Sequence, residues 1–250
     1  MKKLTRYQIK LIAVIAMTLN HIAEMFLPRG GLAGSLMKYA GYITAVIMCY
    51  FLTEGMRHTA SQAAYRRRLL VLALISQIPF SLAFLQESGV FVFSMGFTLY
   101  ICSLICTVRM KRKDRAGTLL CILLILLTSF SDWPLLAGVF TMLFLAAGEG
   151  RMALRKAFLL CAASVAAAEA LTALEAPPTF GLSLPPGVLP FVTVPAAAVL
   201  SGGAIVSAGF LILCCYSGRE GKKSRLSQYL FYLYYPAHLL ALVLIRSMLG

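Results

Sequence analysis

Histidine is the side chain whose ordinary pKa best suits proton transfer near neutral pH, and the chain has 3, at positions 21, 58 and 238. His21 follows Lys10 with ten residues between them. On a helix, eleven steps of about 100° return to within about 20° of the start and cover about 16 Å. A cation and an imidazole therefore share one helix face, roughly half a bilayer apart. Glu24 stands one turn beyond His21 and could orient or charge it, and Asn20 sits beside it. Such a histidine could take a proton from an attacking amine or hydroxyl. The same spacing also suits a lysine that snorkels and a histidine that hydrogen-bonds across a helix interface.

Two further polar positions reach a similar depth. Gln77 lies in Ser76-Gln77-Ile78-Pro79-Phe80, where Pro79 removes a backbone donor and can free a carbonyl in the preceding turn. His238 follows Tyr232, Tyr234, Tyr235 and Pro236; Tyr229 and Tyr232 read as an interfacial belt. If His21, Gln77 and His238 face one another, they form a polar chamber in which His238 or Gln77 donates to a developing oxyanion. At the end where these helices begin, Glu54 and Arg57 can pair at i, i+3. Arg57, His58, Tyr65 and Arg66-Arg67-Arg68 suit either a phosphate-binding rim or ordinary juxtamembrane charge. Asp132, in Ser131-Asp132-Trp133-Pro134, reads as the cap of a short helix.

The elements that must position these groups are transmembrane helices. The chain is 60 % hydrophobic and 13 % charged, with a mean hydropathy of +0.84, far from a soluble domain. Disordered chains, disulfide scaffolds and nucleic-acid-binding domains are excluded. A span needs about 20 mostly apolar residues, and nine candidates appear: 8–27, 34–55, 67–86, 90–108, 117–130, 133–148, 153–174, 189–216 and 229–249. The fifth and sixth are short and could instead form a re-entrant pair. The expected fold is all-α, a polytopic helical bundle folded as one domain over residues 1–250. With a cytoplasmic N-terminus, 20 of the 23 Lys+Arg fall on the cytoplasmic side, as the positive-inside rule requires. Only Arg29, Lys38 and Arg246 fall outside, so the net charge of +14 is mostly topology, with anionic lipid its expected companion.

The N-terminal run lacks a small-x-small cleavage site and reads as a retained first helix. The 7 cysteines, at 49, 102, 106, 121, 161, 214 and 215, lie in apolar runs without ligand spacing and read as small buried hydrophobes. No metal ligand set is visible. Residues 176–195 are Pro-rich and read as an outer loop leading into a poorly helical start of the eighth span. Gly202 and Gly203 allow close packing or a break there.

In combination these pieces are familiar. Lys10 and His21, with ten residues between, resemble the signature of the type-three integral membrane acyltransferases. Arg57-His58-Thr59, Tyr65 to Leu69, Ser76 to Phe80, Ser131-Asp132-Trp133 with Gly138-Val139, and Tyr232 to Leu239 resemble successive motifs of the TraX family, named for a conjugal-transfer protein that acetylates the pilin N-terminus. The resemblance implies a multi-pass enzyme of the bacterial cytoplasmic membrane that moves an acetyl group from cytoplasmic acetyl-CoA to an amine or hydroxyl. It implies His21 as the catalytic base. Lys10, Arg57 and Arg66 to Arg68 would hold the CoA phosphates. The acceptor would be a pilin amine, an envelope glycan or a small amine. Asn20 stands where the family usually has Asp, so that Glu24 or nothing raises the basicity of His21, and Pro134 stands where Gly is expected.

Two other classes fit parts of the pattern. A proton-coupled small-solute transporter would use the kinked helices and midplane histidines, but lacks the expected internal repeat. A non-catalytic membrane component of a conjugation or secretion machine is suggested by Asn20.

Overall fold

The computed structural model describes residues 3–28, 30–89, 91–221 and 225–249, with the side chains of 85–88 and 225–230 outside the description. Lys2, Arg29, Lys222 and Lys223 of the charge count lie outside the described residues, as do the side chains of Glu87, Arg225 and Tyr229. Among the described residues the chain forms α1 (Arg6–Phe26), α2 (Leu32–His58), α3 (Gln62–Ser88), α4 (Met95–Lys111), α5 (Arg115–Leu127), α6 (Leu136–Ala147), α7 (Arg151–Glu175), α8 (Leu189–Phe210) and α9 (Arg225–Leu249), with no strands. The protein is an all-α membrane bundle.

Local signals set the helix ends. Thr5 and Gln8 form a reciprocal capping box at the start of α1, and Asp114 accepts from the Gly117 amide at the start of α5. These bonds satisfy amides that a helix N-terminus leaves without intrahelical partners. The start of the eighth span is more regular than its prolines suggest. Pro190 occupies the first turn of α8 and Pro195 sits inside it, because a first-turn proline lacks only a donor that would be unpaired there. Of the two glycines farther along α8, only Gly202 meets a close neighbour: a Cβ there would lie 3.2 Å from Ala166 Cβ, whereas Gly203 faces open space. A π-turn, Leu211–Cys215, ends this span. It leaves Cys214 exposed and Cys215 half-buried, while the other five cysteines are buried as expected.

Among the described residues, six helical segments of the nine spans expected are long and apolar enough to cross a membrane: Arg6–Phe26, Leu32–His58, Gln62–Phe84, Arg151–Glu175, Leu189–Cys215 and Phe231–Leu249. The segments Arg115–Phe130 and Leu136–Ala147 are shorter. At 1.5 Å per residue, the 12 residues of α6 reach about 18 Å, well short of a hydrocarbon core of about 30 Å.

The chain divides into two compact units. The first comprises residues 1–47 and 149–221, the second residues 48–148 and 222–250. In the first, α7 packs along α8, and α1 meets the first half of α2. Thr44 donates to the Ala13 carbonyl at 2.6 Å. Gly41 allows the closest approach, since a Cβ there would lie 2.3 Å from Asn20 Cβ. In the second, α3 packs against α4 and α9, and α4 against α5 and α6. Gly96 permits the α3–α4 contact: a Cβ there would sit 2.8 Å from Ala73 Cα.

Candidate active site

His21 and its neighbours belong to the first unit. His21 is 6 % exposed, and Glu24, one turn on, is exposed. Asn20 turns toward α2, where its amide donates to the Lys38 carbonyl at 3.1 Å. Adjacent helix positions point about 100° apart, so Asn20 anchors α1 to α2 and His21 faces elsewhere. That contact also sets His21 level with residues 38–42 of α2.

A polar cluster that sequence reasoning missed occupies this level. Glu169 of α7 accepts from Tyr39 Oη at 3.3 Å and from Tyr42 Oη, and pairs with Lys38 Nζ at 3.4 Å. The ammonium lies 5.3 Å from the Tyr39 ring centroid and 5.7 Å from that of Tyr42. Glu24 acts electrostatically on the Tyr42 hydroxyl, which links it to this cluster. Tyr39 also packs with Ala173, Ala197 and Phe180. Phe180 comes from the Pro-rich connection, which is tied to the α1–α2 turn where the Gly181 amide donates to the Gly30 carbonyl at 2.8 Å.

In the second unit, Gln77 and the residues around His238 converge on the start of α4. The Gln77 amide donates to Val92 O at 3.0 Å and Ser81 Oγ at 3.1 Å, and its carbonyl accepts from Ser94 N at 2.9 Å. Gln77 therefore braces the backbone leading into α4 with both ends of its amide. Phe93 completes the brace: its amide donates to Phe130 O, and its carbonyl accepts from Asp132 N, both at 2.8 Å. Buried irregular backbone must have its polar groups paired, and these bonds pair those of Val92, Phe93, Ser94 and Asp132. Leu135, which precedes α6, takes φ +58°, a conformation costing a non-glycine residue about 1–2 kcal/mol.

The far side of this turn is closed by α9. The amide of Met95 donates to Tyr235 Oη at 3.3 Å, and the Tyr235 ring lies 5.7 Å from His238. His238 stacks on Tyr234 at 5.1 Å. Its Nδ1 lies 3.0 Å from Tyr234 O, so the tautomer that pairs with this carbonyl is protonated at Nδ1 and offers Nε2 as an acceptor. The Asp132 carboxyl acts electrostatically on Tyr235. It does not cap α6 as expected, since Leu135 occupies the cap position and no side chain bonds there. Burial pushes the Asp132 carboxyl up to about 6. Ser94 Oγ, 0 % exposed, has no hydrogen-bond partner among the described residues, although Ser94 holds the cap position of α4.

The residues expected to form a rim lie at and beyond the α2–α3 turn. Arg57 is drawn onto the end of α6, donating to Gly148 O at 3.0 Å, Phe144 O at 2.7 Å and Leu145 O at 3.1 Å. Leu145 and Gly148 offer carbonyls that a helix C-terminus leaves for other partners, and Phe144 O also accepts from the Gly148 amide at 3.3 Å. Arg66 donates to Thr107 Oγ1 at 2.8 Å, and Tyr65 rests against Gly55. His58, Arg67 and Arg68 are exposed, with the Arg68 guanidinium 5.6 Å from the Tyr65 ring centroid. Gln77 and His238 thus share a unit with the rim, whereas His21, Asn20, Glu24 and Lys10 belong to the other.

The family described as TraX protein matches residues 5–246. The chain belongs to the TraX family. It is 30 % identical over 246 residues to "Probable fimbrial assembly protein FimC, serogroup H1" of Dichelobacter nodosus, across 93 % of this chain and 92 % of that protein. No solved structure matches. The TraX-like motifs Ser76 to Phe80, Ser131 to Trp133 and Tyr232 to Leu239, separate in sequence, meet around the start of α4. The Arg57 to Thr59 motif begins with the residue that closes α6.

Proposed function

We propose that this TraX family member is an integral membrane acetyltransferase that moves an acetyl group from cytoplasmic acetyl-CoA to an amine or hydroxyl acceptor at the membrane or cell envelope. In the reaction, the acceptor nitrogen or oxygen attacks the thioester carbonyl, and His21 takes the proton it loses. The carbon–sulfur bond breaks, and the thiolate leaves as CoA after protonation, leaving an amide or ester. The observation that carries this reading is the burial of His21 on α1, eleven residues beyond Lys10, in a chain matched to TraX from residue 5 to residue 246. Histidine is the side chain most often used as a general base near neutral pH. Exposed His58, Arg67 and Arg68 suit the phosphates of the donor. Arg57 is the weaker candidate, because its guanidinium is engaged by α6. The relative's name, a fimbrial assembly protein, favours a pilin-like acceptor in a bacterial cytoplasmic membrane.

Purified protein in detergent, titrated with acetyl-CoA and read by thermal unfolding, tests this proposal. A ligand at 100 times its Kd adds about 2.7 kcal/mol. Lys10→Ala should weaken that shift. His21→Ala should keep it while lowering acetyl transfer by about 10²–10⁴. A second reading, a non-catalytic component of fimbrial assembly, is favoured by Asn20, whose amide is spent on the Lys38 carbonyl. It requires that neither acetyl-CoA nor CoA shifts unfolding and that His21→Ala changes no transfer.

A further inference from the structure

We propose that Glu169, Tyr39 and Tyr42 form a binding cage for a primary ammonium group, and that Lys38 is its built-in occupant, displaced when an external amine enters. The use of the cage by an acceptor rests on the transferase reading; the existence of the cage does not.

The parts are those that recognise an alkylammonium. A carboxylate accepts its N–H bonds, and two tyrosine rings face its charge. Both occur around Lys38 Nζ, which lies 3.4 Å from Glu169 Oε2 and 5.3 and 5.7 Å from the two ring centroids. The cage is fixed independently of its occupant. Tyr39 and Tyr42 both donate to Glu169, Tyr39 is packed against Phe180, Ala173 and Ala197, and the backbone of Lys38 is held by Asn20. The occupant is less constrained, since the Lys38 side chain is 38 % exposed against 16 % for Glu169. A long flexible side chain can leave while the carboxylate and its two hydroxyl partners stay. His21 follows Asn20 on α1 and belongs to the same unit as the cage.

An ordinary structural ion pair would need Lys38 and would gain nothing from its removal. A cage filled by its own lysine behaves oppositely, because Lys38 competes at the high effective concentration of a tethered ligand. The test uses full-length protein in detergent without acetyl-CoA, titrated with n-butylammonium and followed by thermal unfolding. Lys38→Met should bind about tenfold tighter than the wild type or better, since the competing occupant is gone. Lys38→Met/Glu169→Gln should lose that response, and tetramethylammonium, which has no N–H to offer, should not replace the primary amine. The source of the ammonium is separated by three arms: the small amine, a short peptide with a free or an acetylated amino terminus, and nanodiscs with phosphatidylethanolamine or phosphatidylcholine. Saturable binding of any primary-amine arm that depends on Glu169 supports the cage. The idea fails if Lys38→Met gains no response in any arm, or if the double variant responds equally. Should Lys38→Met not fold, Tyr42→Phe in the wild-type background must weaken amine binding, and unchanged binding overturns the cage. Failure of acetyl-CoA to bind would remove the transferase reading and leave these outcomes unaffected.

Discussion

The cluster around Glu169 and the turn before α4 are both polar and both enclosed by apolar helices, yet they solve the problem of burial in opposite ways. At Glu169 full charges are present, and each is matched: one carboxylate receives two tyrosine hydroxyls and an ammonium. At the α4 turn the groups are mostly neutral backbone and amide, joined by the Asp132 carboxyl, and the Ser94 hydroxyl has no partner among the described residues. The difference follows from cost. An unmatched charge in a membrane interior is severely unfavourable, whereas one unmatched hydroxyl costs about 1–3 kcal/mol. An unused hydroxyl therefore costs far less at the turn than an unused charge would cost at Glu169.

The comparison breaks most readily at Glu169. Glu169→Ala removes the acceptor for three donors on Lys38, Tyr39 and Tyr42, and should destabilise by about 3 kcal/mol in thermal unfolding. Adding Lys38→Met should recover part of that loss, because the stranded ammonium disappears with its partner. A double variant no more stable than Glu169→Ala would show that the ammonium, once its partner is gone, is not stranded at any cost. Gln77→Ala is the matching lesion in the neutral region. It leaves Ser94 N and Val92 O without their side-chain partner and should cost about 2 kcal/mol by the same measurement. Because no charge is stranded, a single second substitution should not rescue it.

Asp132 sharpens the comparison through pH. It lies between α5 and α6, and burial raises its carboxyl from an ordinary 3.8 to about 6. A raised folded-state value means that the folded protein binds this proton more tightly than the unfolded chain. Its contribution to stability is therefore fullest below about pH 4, falls as pH rises toward about 6, and is constant above that. The change should be about 1–2 kcal/mol, less than the shift alone implies because the side chain is only half-buried. Asp132→Asn should flatten this part of the pH–stability profile. An unchanged slope would show that Asp132 does not titrate differently in the folded state.

The two regions also differ in how far the sequence exposed them. The all-α class and the shortness of the fifth and sixth apolar runs were readable from hydropathy and charge breaks, because lipid enforces long apolar runs. Of the nine spans expected, six among the described residues are long and apolar enough to cross. Gln77 and His238 were singled out as polar residues at depth, and the structure links them through Ser94, Met95 and Tyr235 at one turn. The ion pair of Lys38 with Glu169 was not readable, since its partners lie on α2 and α7 and each looks alone like an end-of-helix charge. Asn20 and Arg57 were read for chemistry and are engaged by α2 and α6. Spacing along one helix cannot show which neighbour claims an amide or a guanidinium.

Ser94→Ala should have the smallest effect on stability and is the most informative of the set. Ser94 sits where a serine ordinarily caps a helix, and losing such a cap costs about 1 kcal/mol. Here the hydroxyl makes no cap bond and has no other partner among the described residues. Alanine keeps the Cβ and removes only the unmatched oxygen, so unfolding should shift by less than about 0.5 kcal/mol, and toward greater stability. The amide of Ser94 would still donate to Gln77, so the turn should keep its shape. A loss near 1 kcal/mol would mean that the hydroxyl is bonded in the working protein. Unchanged stability combined with reduced acetyl transfer would place the oxygen of Ser94 on a reacting molecule.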